Sequence, residues 1–362
     1  MGSLNKTNIQ FCSNKPFIWT SENATTLGIT FYNDSLKTSK FNTDKKINEF
    51  KNVIKQWMHR KLTLMGKVTV IKTFAIPKLI YPFTVFENPN IKICNNLTTE
   101  IFKFIWDNKP DKIKRDILYQ KYEYGGLKLT KIENLINKVK AGWAKRYLDQ
   151  NNKNSWKIFF DLKLKKYGGS LIFNCETNQH LVSKIADNNI FLYNVLTAWF
   201  NFRKSYTINH CSMAKAIIWN NTIITKSDKT FFFESWHEKG ITFLEHIFDY
   251  RKNKFYTFND LMSLYDVQTH DFMKYNQLIS SIQPNIKSLI CAEGINAPAV
   301  IPFTEIILKS KKPNNLFHSY QGKSKIIPVS ETKWENSFNI DSTSINLENT
   351  YIFFIFNDIL SK

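Results

Sequence analysis

Between residues 51 and 86 lie seven Lys or Arg (Lys51, Lys55, Arg60, Lys61, Lys67, Lys72 and Lys78) and not one Asp or Glu. Residues of that type at helical spacing offer phosphate chemistry: ammonium groups as point charges and, in Arg60, a planar fork for two oxygens at once. The same charges also suit a solvated helix face. Catalytic patterns are sparse. Two-metal nucleotidyl transfer needs grouped carboxylates, and the chain contains no Asp-Asp pair. His237-Glu238 lacks the second His of a zinc-protease helix, and Gly125-Gly126 and Gly168-Gly169 lack the Lys-Ser/Thr of a phosphate loop. No Gly-x-Ser-x-Gly occurs. His210-Cys211, with Cys175 and His180 upstream, has no Cys-x-x-Cys partner and makes a poor zinc knuckle.

Charge is concentrated. The 362 residues carry 50 Lys plus Arg against 30 Asp plus Glu, a net +20. Residues 44–148 hold 22 basic and nine acidic groups, whereas 149–362 hold 24 and 19. Asn makes up about a tenth of the chain, the mark of an AT-rich coding bias that inflates Lys everywhere. Such a bias does not empty a 36-residue window of acids, so a polyanionic partner is the expectation. Lys112, Lys114 and Arg115 extend the positive region, interrupted by Asp107, Asp111 and Asp116. Trp57, Trp106 and Trp143 lie in this basic stretch. Each sits on or beside an apolar stripe, and packing is a better reading for them than base stacking.

The elements that must carry these groups follow from periodicity. Phe17-Ile18-Trp19 and residues 27–32, joined by a Ser21-Glu22-Asn23 turn, predict a hairpin within 1–43. Ile47, Phe50, Ile54 and Trp57 fall on one face of a helix over 44–58, with Lys51, Lys55 and His59 on another. Thr63 is the expected N-cap of a second helix with Leu64, Val68, Ile71 and Ala75 inward, which Pro77 should kink or end. A third spans 97–106 through Leu97, Ile101, Phe104 and Ile105. Gly125-Gly126 marks a tight positive-φ loop or a close backbone approach, a further helix covers 132–148, and 219–233 reads as strand-like. The divisions are therefore 1–43, a helical unit over 44–108, a basic linker with the Gly-Gly loop over 109–150, and a C-terminal domain over 151–362. The fold class is mainly α, with a short N-terminal β-hairpin, a three-helix unit, and a larger α-rich C-terminal domain carrying a few strands. The five Cys are single and widely spaced, which fits a reducing compartment. No apolar run approaches a membrane span, and Lys6 spoils the myristoylation pattern after Gly2. An intracellular protein, in cytoplasm and nucleus, with no membrane partner, is expected.

Leu27-Gly28-Ile29, then Trp57-Met58-His59-Arg60-Lys61-Leu62-Thr63-Leu64-Met65-Gly66-Lys67-Val68-Thr69-Val70-Ile71-Lys72, then Pro77-Lys78-Leu79-Ile80-Tyr81, resemble the region after the catalytic palm in LINE-type non-LTR retrotransposon reverse transcriptases. Phe104-Ile105-Trp106, Lys112-Ile113-Lys114-Arg115 and Gly125-Gly126-Leu127 are similar to the segment after that family's thumb. Trp219-Asn220-Asn221, Phe232-Phe233, Ser235-Trp236, Lys239-Gly240-Ile241 and Phe258 with Leu261 look like its C-terminal part. The resemblance runs over about 17–282. It implies a palm edge in 1–43, a thumb in 44–108, and phosphate contacts to RNA template or RNA/DNA duplex from Lys51, Lys55, Arg60, Lys61, Lys67, Lys72, Lys112, Lys114 and Arg115. Trp57, Gly66, Pro77, Tyr81, Trp106, Gly125, Gly126, Trp219, Trp236 and Gly240 are its motif positions, with structural roles. The family's polymerase Asp-Asp motif belongs upstream of residue 1, and with it the Mg that this stretch would not hold. The expectation is a non-catalytic C-terminal fragment of an RNA-directed DNA polymerase, with the remaining reverse-transcriptase domains as a further partner. A relic or domesticated helical protein-interaction module is the alternative.

Overall fold

The structure is a computed structural model in which residues 23–151, 154–175, 177–205, 213–293 and 303–309 are described. It is mainly helical. Two compact units divide within the helix Ile132–Leu148, after Ile136. The expected linker over 109–150 is thus split: its part up to Ile136 belongs to the first unit.

The first unit opens on an antiparallel hairpin, β1 (Asn23–Thr26) and β2 (Ile29–Tyr32), paired from Asn23–Tyr32 to Thr26–Ile29. Leu27 and Gly28 make its turn, with φ of 50° and 79°. Two positive φ values give the turn whose twist matches a hairpin. The turn therefore sits at Leu27-Gly28, a correction to the expected Ser21-Glu22-Asn23; Phe17-Ile18-Trp19 lies outside the described residues.

Helix α1 (Ser35–Met58) begins nine residues before the expected start, capped by Asp34 Oδ1 on the Leu36 N–H at 2.9 Å. Its first half escaped the apolar pattern because its inward residues are polar: Thr38, Asn42 and Thr43 are buried along with Ile47, Phe50 and Ile54. Asn42 explains the choice. Its carboxamide accepts from the Thr30 N–H (2.9 Å) and donates to the Thr30 carbonyl (2.8 Å), standing in for the strand that β2 lacks on that side.

After a short elbow, α2 (Leu64–Val70) starts at the predicted cap, with Thr63 Oγ1 accepting from the Gly66 N–H at 3.1 Å. Pro77 does not end the helical run. A π-helical turn, Ile71–Ala75, widens the backbone before α3 (Ile76–Val85) and lets the Ile76 N–H reach the Ile71 carbonyl. The proline ring, lacking an N–H, fits past that turn without breaking the helix. Pro82 lies inside α3 as well. The continuous stretch Leu64–Val85 is long and apolar enough to cross a membrane, which the broken pattern around Pro77 had hidden. Here Val68, Ile71, Ala75, Leu79 and Phe83 are buried instead in the first unit's core. Helix α4 (Ile91–Ile105), capped by Asn90, buries the four residues expected, Leu97, Ile101, Phe104 and Ile105. α1 packs on α3 and α4. A short α5 (Arg115–Tyr119) and the Gly-Gly loop complete the unit before α6 (Ile132–Leu148), whose bounds are those expected.

The second unit holds two clusters. One gathers Ala141, Ala144 and Tyr147 of α6 with α7 (Lys157–Leu164), α8 (Gln179–Ala186) and α9 (Ile190–Ser205) around Trp199. The other surrounds Trp219 and Trp236, with α10 (Glu234–Glu238), the short pair β3 (Phe248–Asp249) and β4 (Lys254–Phe255), α11 (Phe258–Tyr265), α12 (Phe272–Ser281) and α13 (Pro284–Glu293). The expected strand over 219–233 is not formed. Its apolar and aromatic residues instead pack an irregular segment in which Lys226 and Lys229 make one isolated bridge.

Candidate nucleic-acid interface

The last turn of α1 and the elbow into α2 frame an open cleft of about 430 Å³ lined by Met58, His59, Arg60, Lys61, Leu62, Thr63, Lys67 and Asp107. Lys51, Lys55 and His59 follow one another at four-residue intervals and rise along one face of α1 toward it. Lys55, Arg60 and Lys61 are exposed and Lys51 is half-buried. None of these four cations ion-pairs with a carboxylate among the described residues. The Arg60 guanidinium sits 4.3 Å from the centre of the Trp57 ring, and Trp57 in turn stacks on Phe74 at 5.4 Å. Cation–π contact orients a guanidinium without using up its N–H donors, so Arg60 is held at the cleft mouth still able to meet a phosphate. Trp57 is half-buried in this packing.

Two lysines expected on this face are engaged within the fold, Lys67 in the wall of the cleft itself. Lys67 is buried: its ammonium lies 2.6 Å from Asp107 Oδ2 and donates to the Ile105 carbonyl at 3.2 Å. It fastens α2 to the C-terminal end of α4, where a cation is favoured. Lys72 donates to the Leu127 carbonyl at 2.9 Å, and burial, helped by the Lys128 charge, lowers its pKa to about 8. The resemblance, with the charge count agreeing, makes both candidates for phosphate contact beside Lys51, Lys55, Arg60 and Lys61; the π-helical turn and the Ile105–Asp107 bend that set them apart from that group lie beyond either signal. Lys112 and Lys114 are exposed. Arg115 is held by Asp111 at 2.6 Å and over the Phe102 ring at 4.5 Å.

The motif positions are structural. Gly66 lies against the cap, where a Cβ would come within 3.3 Å of Thr63 Oγ1. Pro77 and Tyr81 are exposed on α3, and Trp106 is buried at the end of α4. Gly125 takes φ +71°. At Gly126 a Cβ would collide with the Gln120 carbonyl and approach Ile117 O to 2.6 Å. Both roles foreseen for the pair are therefore used, one per glycine. In the second unit Trp219 donates to the Ile241 carbonyl (2.7 Å) and Trp236 to Asp271 Oδ2 (3.0 Å), while Gly240 ends α10 at φ +93°. These distant motifs meet in one core.

Burial pushes the Cys175 thiol up to about 12 and raises Cys94, away from the thiolate. Among the described residues no group of three His, Cys, Asp or Glu is placed to hold a metal. Cys12, His210 and Cys211 lie outside them. No family model matches the chain. Lys128, which neighbours Lys72, was not singled out by the sequence; its position directly after Gly-Gly-Leu was the available signal.

Proposed function

We propose that this chain is a non-catalytic nucleic-acid grip, of the kind formed by the thumb and following region of a LINE-type reverse transcriptase. Its ligand is an RNA template or RNA/DNA duplex held through phosphates and shape. The observation that carries the reading is the cluster of Lys51, Lys55, Arg60 and Lys61, unopposed by ion-paired carboxylates, leading to an open cleft. The resemblance of 57–81 to the thumb of that family supports the same choice.

The test is affinity for a primed RNA template, an RNA hairpin and duplex DNA as salt is raised. Neutralising about four phosphates predicts a log–log slope of roughly −3 to −4. Replacing Lys51, Lys55, Arg60 and Lys61 with Gln should flatten it and weaken all sequences alike. A folded protein with a shallow slope would count against the grip. It would instead favour a protein-interaction module, the reading suggested by the exposed Phe74, Ile80 and Tyr81 on the outer side of the Leu64–Val85 run.

A further inference from the structure

We propose that Lys72 and Lys128 form a two-point clamp for a single phosphate group, held beside the Tyr122 ring by the Gly125-Gly126 loop. The two lysines come from different elements. Lys72 belongs to the π-helical turn Ile71–Ala75, and Lys128 follows the loop that folds back on the end of α5. Backbone bonds fix this return: Gly126 N–H to the Lys121 carbonyl (3.0 Å), Leu127 N–H to Leu118 (3.2 Å) and Lys128 N–H to Gln120 (2.8 Å). Lys72 Nζ lies 5.7 Å and Lys128 Nζ 4.7 Å from the centre of the same Tyr122 ring.

Two ammonium groups sharing one aromatic ring repel each other, and here no carboxylate answers them. Neither lysine ion-pairs with an acid among the described residues, and burial and the Lys128 charge both disfavour the Lys72 ammonium. Lys128 also holds φ +49°, a conformation unfavourable for a lysine. Backbone strain tends to gather at ligand-binding positions, and here it coincides with two like charges beside one ring. The donors are available. Lys72 spends one ammonium hydrogen on the Leu127 carbonyl, leaving two, and Lys128 Nζ makes no hydrogen bond among the described residues. A phosphate carries enough acceptor oxygens to take charge-assisted bonds from both.

The natural source, on the nucleic-acid reading above, is a strand phosphodiester; a free phosphate would satisfy the same donors. Full-length protein labelled with carbon-13 at the lysine ε carbon, titrated by NMR with and without ligand, separates these. The probes are inorganic phosphate and a primed RNA/DNA duplex. The Lys72 midpoint, near 8 without ligand, should rise by about one unit or more when either probe saturates, because an opposite charge favours the ammonium. A rise with duplex alone assigns the phosphodiester. A rise with inorganic phosphate alone keeps the clamp while removing its link to nucleic acid, whatever the α1 elbow does. Lys128→Gly, which suits the positive φ and so keeps the loop folded, should weaken the responsive probe about tenfold, and Lys128→Arg should retain it. No movement of Lys72 under either probe, or unchanged binding by a folded Lys128→Gly protein, overturns the clamp.

Discussion

Lys67 and Asp107, forty residues apart, meet at 2.6 Å, the lysine side chain 6% exposed and the carboxylate 61% exposed. The pair turns a charge that sequence spacing places on the cationic face into a fastener between α2 and the bend after α4. Lys67→Met should therefore lower stability by about 1–2 kcal/mol, through the lost bonds to Ile105 and Asp107, yet leave the salt dependence of nucleic-acid binding unaltered. Urea unfolding and the binding slope check the two halves. A flattened slope in a stable variant would mean that Lys67 reaches phosphate after all.

Gly126 is the more exacting half of the Gly-Gly pair. A methyl group there meets the Gln120 carbonyl, which is backbone and cannot swing aside. Gly126→Ala should cost on the order of 3 kcal/mol or disrupt the loop outright. Gly125→Asn should cost only about 1 kcal/mol, since Asn tolerates the left-handed region that φ +71° requires. Thermal melts of the two variants give the comparison, and equal losses would refute the division of roles.

Much of the fold was legible because apolar side chains recur at helical intervals: Ile47, Phe50 and Ile54, or Leu97, Ile101 and Phe104, are buried as their spacing requires. What stayed hidden is where backbone geometry or polar contacts replace that pattern. The start of α1 is held by Asp34, Thr38 and Asn42, and the passage past Pro77 depends on a widened turn. The strand read over 219–233 failed because dense aromatics suit an irregular packed segment as well as a sheet. At the candidate interface, Lys51, Lys55, Arg60 and Lys61 were visible as a pattern, whereas Lys67 and Lys72 are placed by contacts 38 to 55 residues away in the chain.

Asn42 tests the polar half of that lesson. It is 4% exposed and satisfies both backbone groups of Thr30, besides donating to the Thr38 carbonyl at 2.7 Å. Asn42→Ala leaves a buried N–H and C=O without partners, for an expected loss of about 2–4 kcal/mol. Hydrogen exchange at Thr30 should accelerate before exchange in α4 does. If Thr30 remained as protected as in the parent protein, Asn42 would not be the element that holds the hairpin.

Lys72 adds a pH dependence whose direction follows from its lowered pKa. Folded, it titrates near 8, and in the unfolded chain near 10.5. Between those values the unfolded chain binds more protons, so stability contributed by this residue rises with pH across that window. Below about pH 8 both states are charged and the full burial penalty stands; it is relieved as the folded lysine loses its proton. Urea unfolding of the parent protein and of Lys72→Met at several pH values isolates the effect, because the other titrating groups are common to both. The parent should gain on the variant from pH 8 upward, and saturating phosphate should shift that gain to higher pH, since a bound anion holds the ammonium charged. A stability difference that stays flat from pH 7 to 10 would show that burial does not disfavour the Lys72 ammonium in the folded protein.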